Sequence, residues 1–169
     1  CKEAYNLSKK NFTKLKDILF LLRNEFNDGA DVLDDILDFF NVDSEQEIFE
    51  ESEKVAALFR KQNSVQVNSV NLKAWLRRGE LEFANMNLPD YDEEAFTSWI
   101  EERTWEGSLG DPEYFKQLPS ILSKFGMAVV LVPYVSNTVY GAVRWFDGKP
   151  LVQISDRGQD LATCWFTLF

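Results

Sequence analysis

Apolar residues recur along the first two thirds of this chain at alternating spacings of three and four, which is the pattern of one helical face after another. In NFTKLKDILFLLRNEF, Phe12, Leu15, Leu19, Leu22 and Phe26 form a continuous stripe, which Asp28-Gly29 ends. DVLDDILDFF predicts a second, short helix, with Val32, Leu33, Ile36, Leu37 and Phe40 inward and four aspartates outward; acids in its first turn suit the helix dipole. Ser44 and Glu47 have capping-box spacing ahead of IFEESEKVAALFRK, a third helix. After the polar stretch QNSVQVNSVN, LKAWLRRGELEFA predicts a fourth, with Leu72, Trp75, Leu76 and Phe83 on one side. Gly79 falls on that side, where it either lets a neighbouring helix approach closely or simply weakens the helix. DEEAFTSWIEER reads as a fifth, short helix anchored by Phe96, Trp99 and Ile100.

Beyond residue 110 the texture changes. Asp111-Pro112 pairs an N-cap with the residue favoured in a first helical turn. The helix it opens carries Phe115, Leu118, Ile121, Leu122 and Phe125 and ends at Gly126, with Pro119 expected to kink or restart it. MAVVLVP is a buried-strand run. TVYGAVRWF and KPLVQIS flank Asp147-Gly148, a type I′ hairpin signal. ISDRGQDLATCWFTLF reads as strand end, loop and helix. The predicted fold class is therefore α+β: a helical linker or interaction region over 1–110, then a helix–three-strand–helix unit with a β-hairpin over 111–169.

Charge is distributed in blocks under a net charge of −10. Residues 28–53 hold eleven acids and no base, residues 54–78 six bases and no acid, and residues 79–113 eleven acids against Arg103 alone. Such blocks suit solvated helix faces that meet as complementary surfaces, at modest energy per exposed pair. The basic block has thin aromatic interleaving (Phe59, Trp75) and acidic flanks that repel phosphates, so it does not by itself make a nucleic-acid surface. No apolar run reaches the ~20 residues of a membrane span. Cys1 and Cys164, far apart, are no disulfide framework, and a reducing cytoplasm is the natural reading. A start at cysteine reads as a fragment, with a mature lipoprotein as the alternative.

Candidate chemistry is sparse. The sequence contains no histidine, which removes Ser-His-Asp, Cys-His and HExxH arrangements. There is no CxxC, no GxGxxG and no phosphate-binding loop. The pairs Glu93-Glu94 and Glu101-Glu102 have the composition of a general acid and base or a Mg²⁺ site, but solvated polar faces account for them better. Cys164 reads as a small core residue rather than a nucleophile, and Trp75, Trp99, Trp145 and Trp165 as core anchors rather than a ligand cage. No catalytic residue and no metal ligand is assigned.

AWLRRGELEF followed by LPSILSKFGMAVVLVPYVSNTVYGAVRWFDGKPLVQISDRGQDLATCWFTLF resembles the ImmA/IrrE family of bacterial metallopeptidase-like domains, most closely the members fused to an N-terminal helix-turn-helix of antitoxin or repressor type. In that family a helix, a strand, a GA-R-W hairpin strand and an I-S-R strand end lead into a helix carrying WFT and then HExxH. Trp165, Phe166, Thr167, Leu168 and Phe169 match the residues just before the first histidine, so the resemblance implies a chain that stops short of the metal site. It is specific over 112–169, suggestive over 71–84, and gives only a helical linker over 1–60. It implies a zincin-like fold, and a cytoplasmic regulator that cleaves or remodels a repressor or toxin partner. Zinc is expected in the parent protein but no cofactor in these residues, and DNA is contacted only through a separate N-terminal domain. The alternative is a non-catalytic protein-binding regulator or antitoxin on the same fold. The strand around Tyr140–Trp145 is the candidate for receiving a peptide by β-augmentation, and Tyr140, Arg144 and Arg157 are the candidate substrate-binding residues, with Arg144 read as an exposed cation.

Overall fold

The computed structural model describes residues 32–62, 67–103, 105–108 and 111–155. The stripe over 11–26, Arg157 and the closing segment with Cys164 and Trp165 lie outside the described residues. Within them the chain is α+β. Helices α1 (Val32–Phe40), α2 (Glu45–Gln62), α3 (Ser69–Ala84) and α4 (Glu93–Glu101) are followed by a 3-10 turn at Glu106–Ser108 and helix α5 (Pro112–Ser123). Strands β1 (Ala128–Val132), β2 (Gly141–Phe146) and β3 (Lys149–Ser155) complete the order.

The chain divides into two compact units, and the division falls inside α3 rather than where helices give way to strands. One unit holds the described residues up to Arg78 together with Val135–Val139; the other holds the described residues of Gly79–Tyr134 and those from Tyr140 to Ser155. The short 135–139 segment joins the first unit because two asparagines fasten it there. The Asn68 N–H donates to the Asn137 carbonyl at 2.8 Å, and Asn71 Nδ2 donates to the Ser136 carbonyl at 2.8 Å. Thr138, itself buried, donates through Oγ1 to the Val135 carbonyl at 2.5 Å.

In the first unit, α1 ends as its sequence permits. Asn41 takes φ 55°, the Val42 N–H donates to Leu37 O and the Asn41 N–H to Asp38 O; asparagine is the commonest substitute for glycine at this left-handed position. Phe39 and Phe40 are both buried and meet edge-on, so the inward face includes Phe39, one position beyond the helical stripe. The capping box of α2 forms with a displacement. The Glu47 N–H donates to Ser44 Oγ, but the Glu47 carboxylate accepts from the Asp43 N–H rather than from Ser44. Lys73 reaches back from α3 to Glu51 at 2.6 Å, and this hydrogen bond holds the Glu51 carboxyl below the usual carboxylate range. Leu72, Trp75 and Leu76 are buried, as helical periodicity predicts, and Ala74, on the other side of the helix, is buried as well.

The second unit is a three-stranded mixed sheet in the order β1-β3-β2. β3 is central, parallel to β1 (Val129 opposite Val152, Leu131 opposite Ile154) and antiparallel to β2 (Val143 opposite Val152, Arg144 opposite Leu151). One face carries a core of Leu122, Met127, Val129, Val152 and Ile154, with Tyr91, Phe96, Trp99, Phe115 and Phe125 packed against it. Burying each of those five aliphatic side chains is worth about 1.5–3 kcal/mol before chain entropy is charged against it. α5 opens as predicted, with Asp111 accepting from the Glu113 N–H and Pro112 in the first turn. It runs through Pro119 as one helix without restarting. Its end is a Schellman motif: the Met127 N–H donates to Leu122 O and the Gly126 N–H to Ser123 O, with Gly126 at φ 76°. A Cβ on Gly126 would also stand 2.5 Å from the Asp90 carbonyl, so the close approach of that loop demands glycine a second time.

Asp147 (φ 47°) and Gly148 (φ 73°) both take positive φ, as a type I′ hairpin needs. No atom lies within 4 Å of a Cβ built on Gly148, so an alanine there meets only the backbone penalty. Gly148→Ala is expected to lower stability by about 1 kcal/mol, read as a lower urea midpoint at unchanged slope. An unchanged midpoint would contradict the turn.

Candidate functional site

β2 is an edge strand among the described residues, with β3 as its sheet neighbour. Side chains alternate across a pleat, and the two faces of β2 have different fates. Ala142, Arg144 and Phe146 share one face, and the C-terminal part of α3 meets it. Phe146 lies edge-on to Phe83 at 5.2 Å between ring centres. Arg144 Nη1 donates to Glu80 Oε1 at 2.5 Å, and its Nη2 lies 3.4 Å from Gln153 Oε1. The guanidinium stands 5.8 Å from the Phe146 ring centre.

The expectation that Arg144 is an exposed cation is therefore corrected. Its side chain is 24% exposed and that of Glu80 18%, so the pair is half-buried and the guanidinium is turned to α3. Gly79 adjoins the same cluster. A Cβ on it would overlap the carboxamide of Gln153, a fully buried residue of β3. The neighbour that Gly79 admits is thus a strand side chain, not a helix.

Val143 and Trp145 share the opposite face and stand in solvent, at 65% and 66% exposure. Trp145 is thus no core anchor, whereas Trp75 is fully buried and Trp99 packs half-buried on the core. Coverage by α4 and α5 stops short of β2, and the contact Trp145 makes is an edge-on one with Tyr91, at 5.4 Å and 82°. Tyr140 precedes the strand, 47% exposed, and its carbonyl accepts from the Ser155 N–H at 2.9 Å. Of the three candidate binding residues, Tyr140 and Arg144 thus lie at one edge strand, and Arg157 lies outside the described residues.

Sequence reasoning missed Tyr91, Glu80 and Gln153. Gln153 left a trace, a lone polar residue within the buried run LVQIS, where an unbonded amide is costly and so implies a partner.

The chain matches no family model, no curated protein and no solved structure.

Among the described residues no group of three or more His, Cys, Asp or Glu is placed to hold a metal ion, and the sequence supplies no imidazole. These residues do not fit a zinc of the HExxH type. Glu93-Glu94 and Glu101-Glu102 lie exposed on α4 and its C-cap. Among the described residues no helix is long and apolar enough to cross a membrane. Among the described residues, what the arrangement offers chemically is a strand edge with an apolar, aromatic face.

If Arg144 is a tie between helix and sheet, Arg144→Met should destabilise the protein by about 1–3 kcal/mol, since the Glu80 carboxylate loses its charge-assisted donor while half-buried. Glu80→Gln, which keeps an acceptor, should cost less. Urea unfolding of both variants checks this, and a stable Arg144→Met variant would contradict it.

Proposed function

We propose that this chain serves a bacterial regulator of the ImmA/IrrE type and that its own part there is to hold a segment of a protein partner, a repressor or a toxin, along β2. The observation that carries the reading is the edge position of β2 with two large apolar side chains exposed on one face. Soluble domains usually protect such edges, because a free strand edge pairs with whatever strand is offered. The succession α5, β1, β2, β3 supports the resemblance, since it follows the order of helix, strand, hairpin strand and strand on which the resemblance rests. Cleavage by the parent requires an HExxH helix beyond Phe169 and the zinc it would hold, and no step of that reaction is derived from the residues described. DNA contact is assigned to a separate helix-turn-helix domain, and the compartment to the cytoplasm.

A non-catalytic regulator that only binds its partner, through the same edge of β2, is the second reading. Elemental analysis separates the two. The complete gene product is expected to carry stoichiometric zinc that a chelator removes, whereas the 169 residues alone take up none. A zinc-free complete protein that still co-purifies with its repressor favours the binding reading, and tight zinc in the 169 residues contradicts the placement of the ligands.

A further inference from the structure

Resting on the reading of β2 as a binding edge, we propose that the segment it receives is an extended, basic stretch of a partner protein, with a lysine or arginine cation seated on Trp145. The first support is the separation of charge by the pleat. Arg144, the cation of β2 itself, is drawn by Glu80 to the face that meets α3, so it does not occupy the Val143–Trp145 face. The second is an acidic frame formed by the residues beside Tyr91 and by the turn after β2. Tyr91, which meets Trp145 edge-on, stands between Asp90 and Asp92 and is followed by Glu93. Lys149 answers Asp90 at 3.1 Å, while Asp92 and Glu93 open α4 as exposed acids and Asp147, also exposed, follows Trp145 by two residues.

Burial first, and the charges of Glu93 and Asp92 after it, hold the Tyr91 phenol above its ordinary range; only the second cause reflects the field of the two acids. An aromatic face in such a field favours a cation, and a lysine or arginine over a tryptophan strengthens binding about two- to thirtyfold. Phosphate-bearing and acidic partners are repelled by the same frame. Among the described residues β2 has β3 as its one strand neighbour, so its other edge suits an extended backbone, and the alternation of β2 asks for basic residues at every second position of it.

The probes are short peptides of alternating lysine and valine, glutamate and valine, and serine and valine, added to the 169-residue chain. Amide exchange of residues 141–146 and the Trp145 indole N–H resonance report binding at β2. Two variants test the chemistry. Trp145→Thr removes the ring and keeps strand propensity. The triple variant Asp92→Asn, Glu93→Gln, Asp147→Asn removes charge while asparagine keeps both the helix cap and the positive φ. The lysine peptide is expected to protect β2 amides, to bind more weakly as salt rises, and to lose about fivefold or more in affinity in each variant. Equal protection by the serine or glutamate peptide, or lysine-peptide binding indifferent to both variants, overturns the basic partner and leaves β2 as an edge that pairs. Protection of β2 by none of the peptides overturns the edge reading along with it.

Discussion

The sheet-bearing unit depends on a position where a side chain is missing. α3 meets the sheet at Gly79, and a Cβ there would occupy the space of the Gln153 carboxamide. Gln153 is fully buried and its Oε1 faces Arg144 Nη2, so a shift of the carboxamide would disturb that contact. With the helix backbone admitted this close, the next residue, Glu80, reaches Arg144, and Phe83, one helical turn on, meets Phe146. Three positions of one helix thereby fix Gln153 of the central strand and two residues of the edge strand. Helix glycine is normally a loss of roughly 0.5–1 kcal/mol against alanine; here the close approach offsets it.

That contact also decides what β2 presents to the outside. The face of the strand with Ala142, Arg144 and Phe146 is occupied by α3, and the pleat sends Val143 and Trp145 the other way. The helices on that second face cover Val129, Val152 and Ile154 but not the edge, where Tyr91 alone among the aromatic residues packed on that core stands against Trp145. A strand whose charged residue is satisfied internally and whose aromatic residue is left in solvent has the composition of a recognition edge. The acids that flank Trp145 then set the sign of what it recognises.

Local signals carried much of the fold into the sequence. Asp111-Pro112, Ser44 with Glu47, and Asp147-Gly148 each specify an end or a turn through atoms within a few residues, and each appears in the structure at its place. Sheet order was not legible, because β1 pairs with β3 across an intervening strand, and no spacing in the chain encodes a parallel partner. Arg144 and Trp145 were misread for one reason. Periodicity says which side chains share a face, but how far each face is covered depends on α3 on one side, some sixty residues earlier, and on α4 and α5 on the other. Gly79 was legible as a close approach and illegible as to its neighbour. The division of the chain inside α3 coincides with the change from the basic block ending at Arg78 to the acidic block that follows, but helical periodicity runs through it unbroken.

The central claim is that the absence of a side chain at Gly79 and the presence of Gln153 are one interaction. A double-mutant cycle of Gly79→Ala and Gln153→Ala, followed by urea unfolding, measures it directly. Gly79→Ala alone should destabilise by about 1–3 kcal/mol through overpacking. With Gln153→Ala in place the same change should cost little or even stabilise, because alanine favours the helix, giving a coupling of about 1 kcal/mol or more. If the two substitutions were simply additive, helix and sheet would not be held by this contact, and the account of β2 built on it would fail.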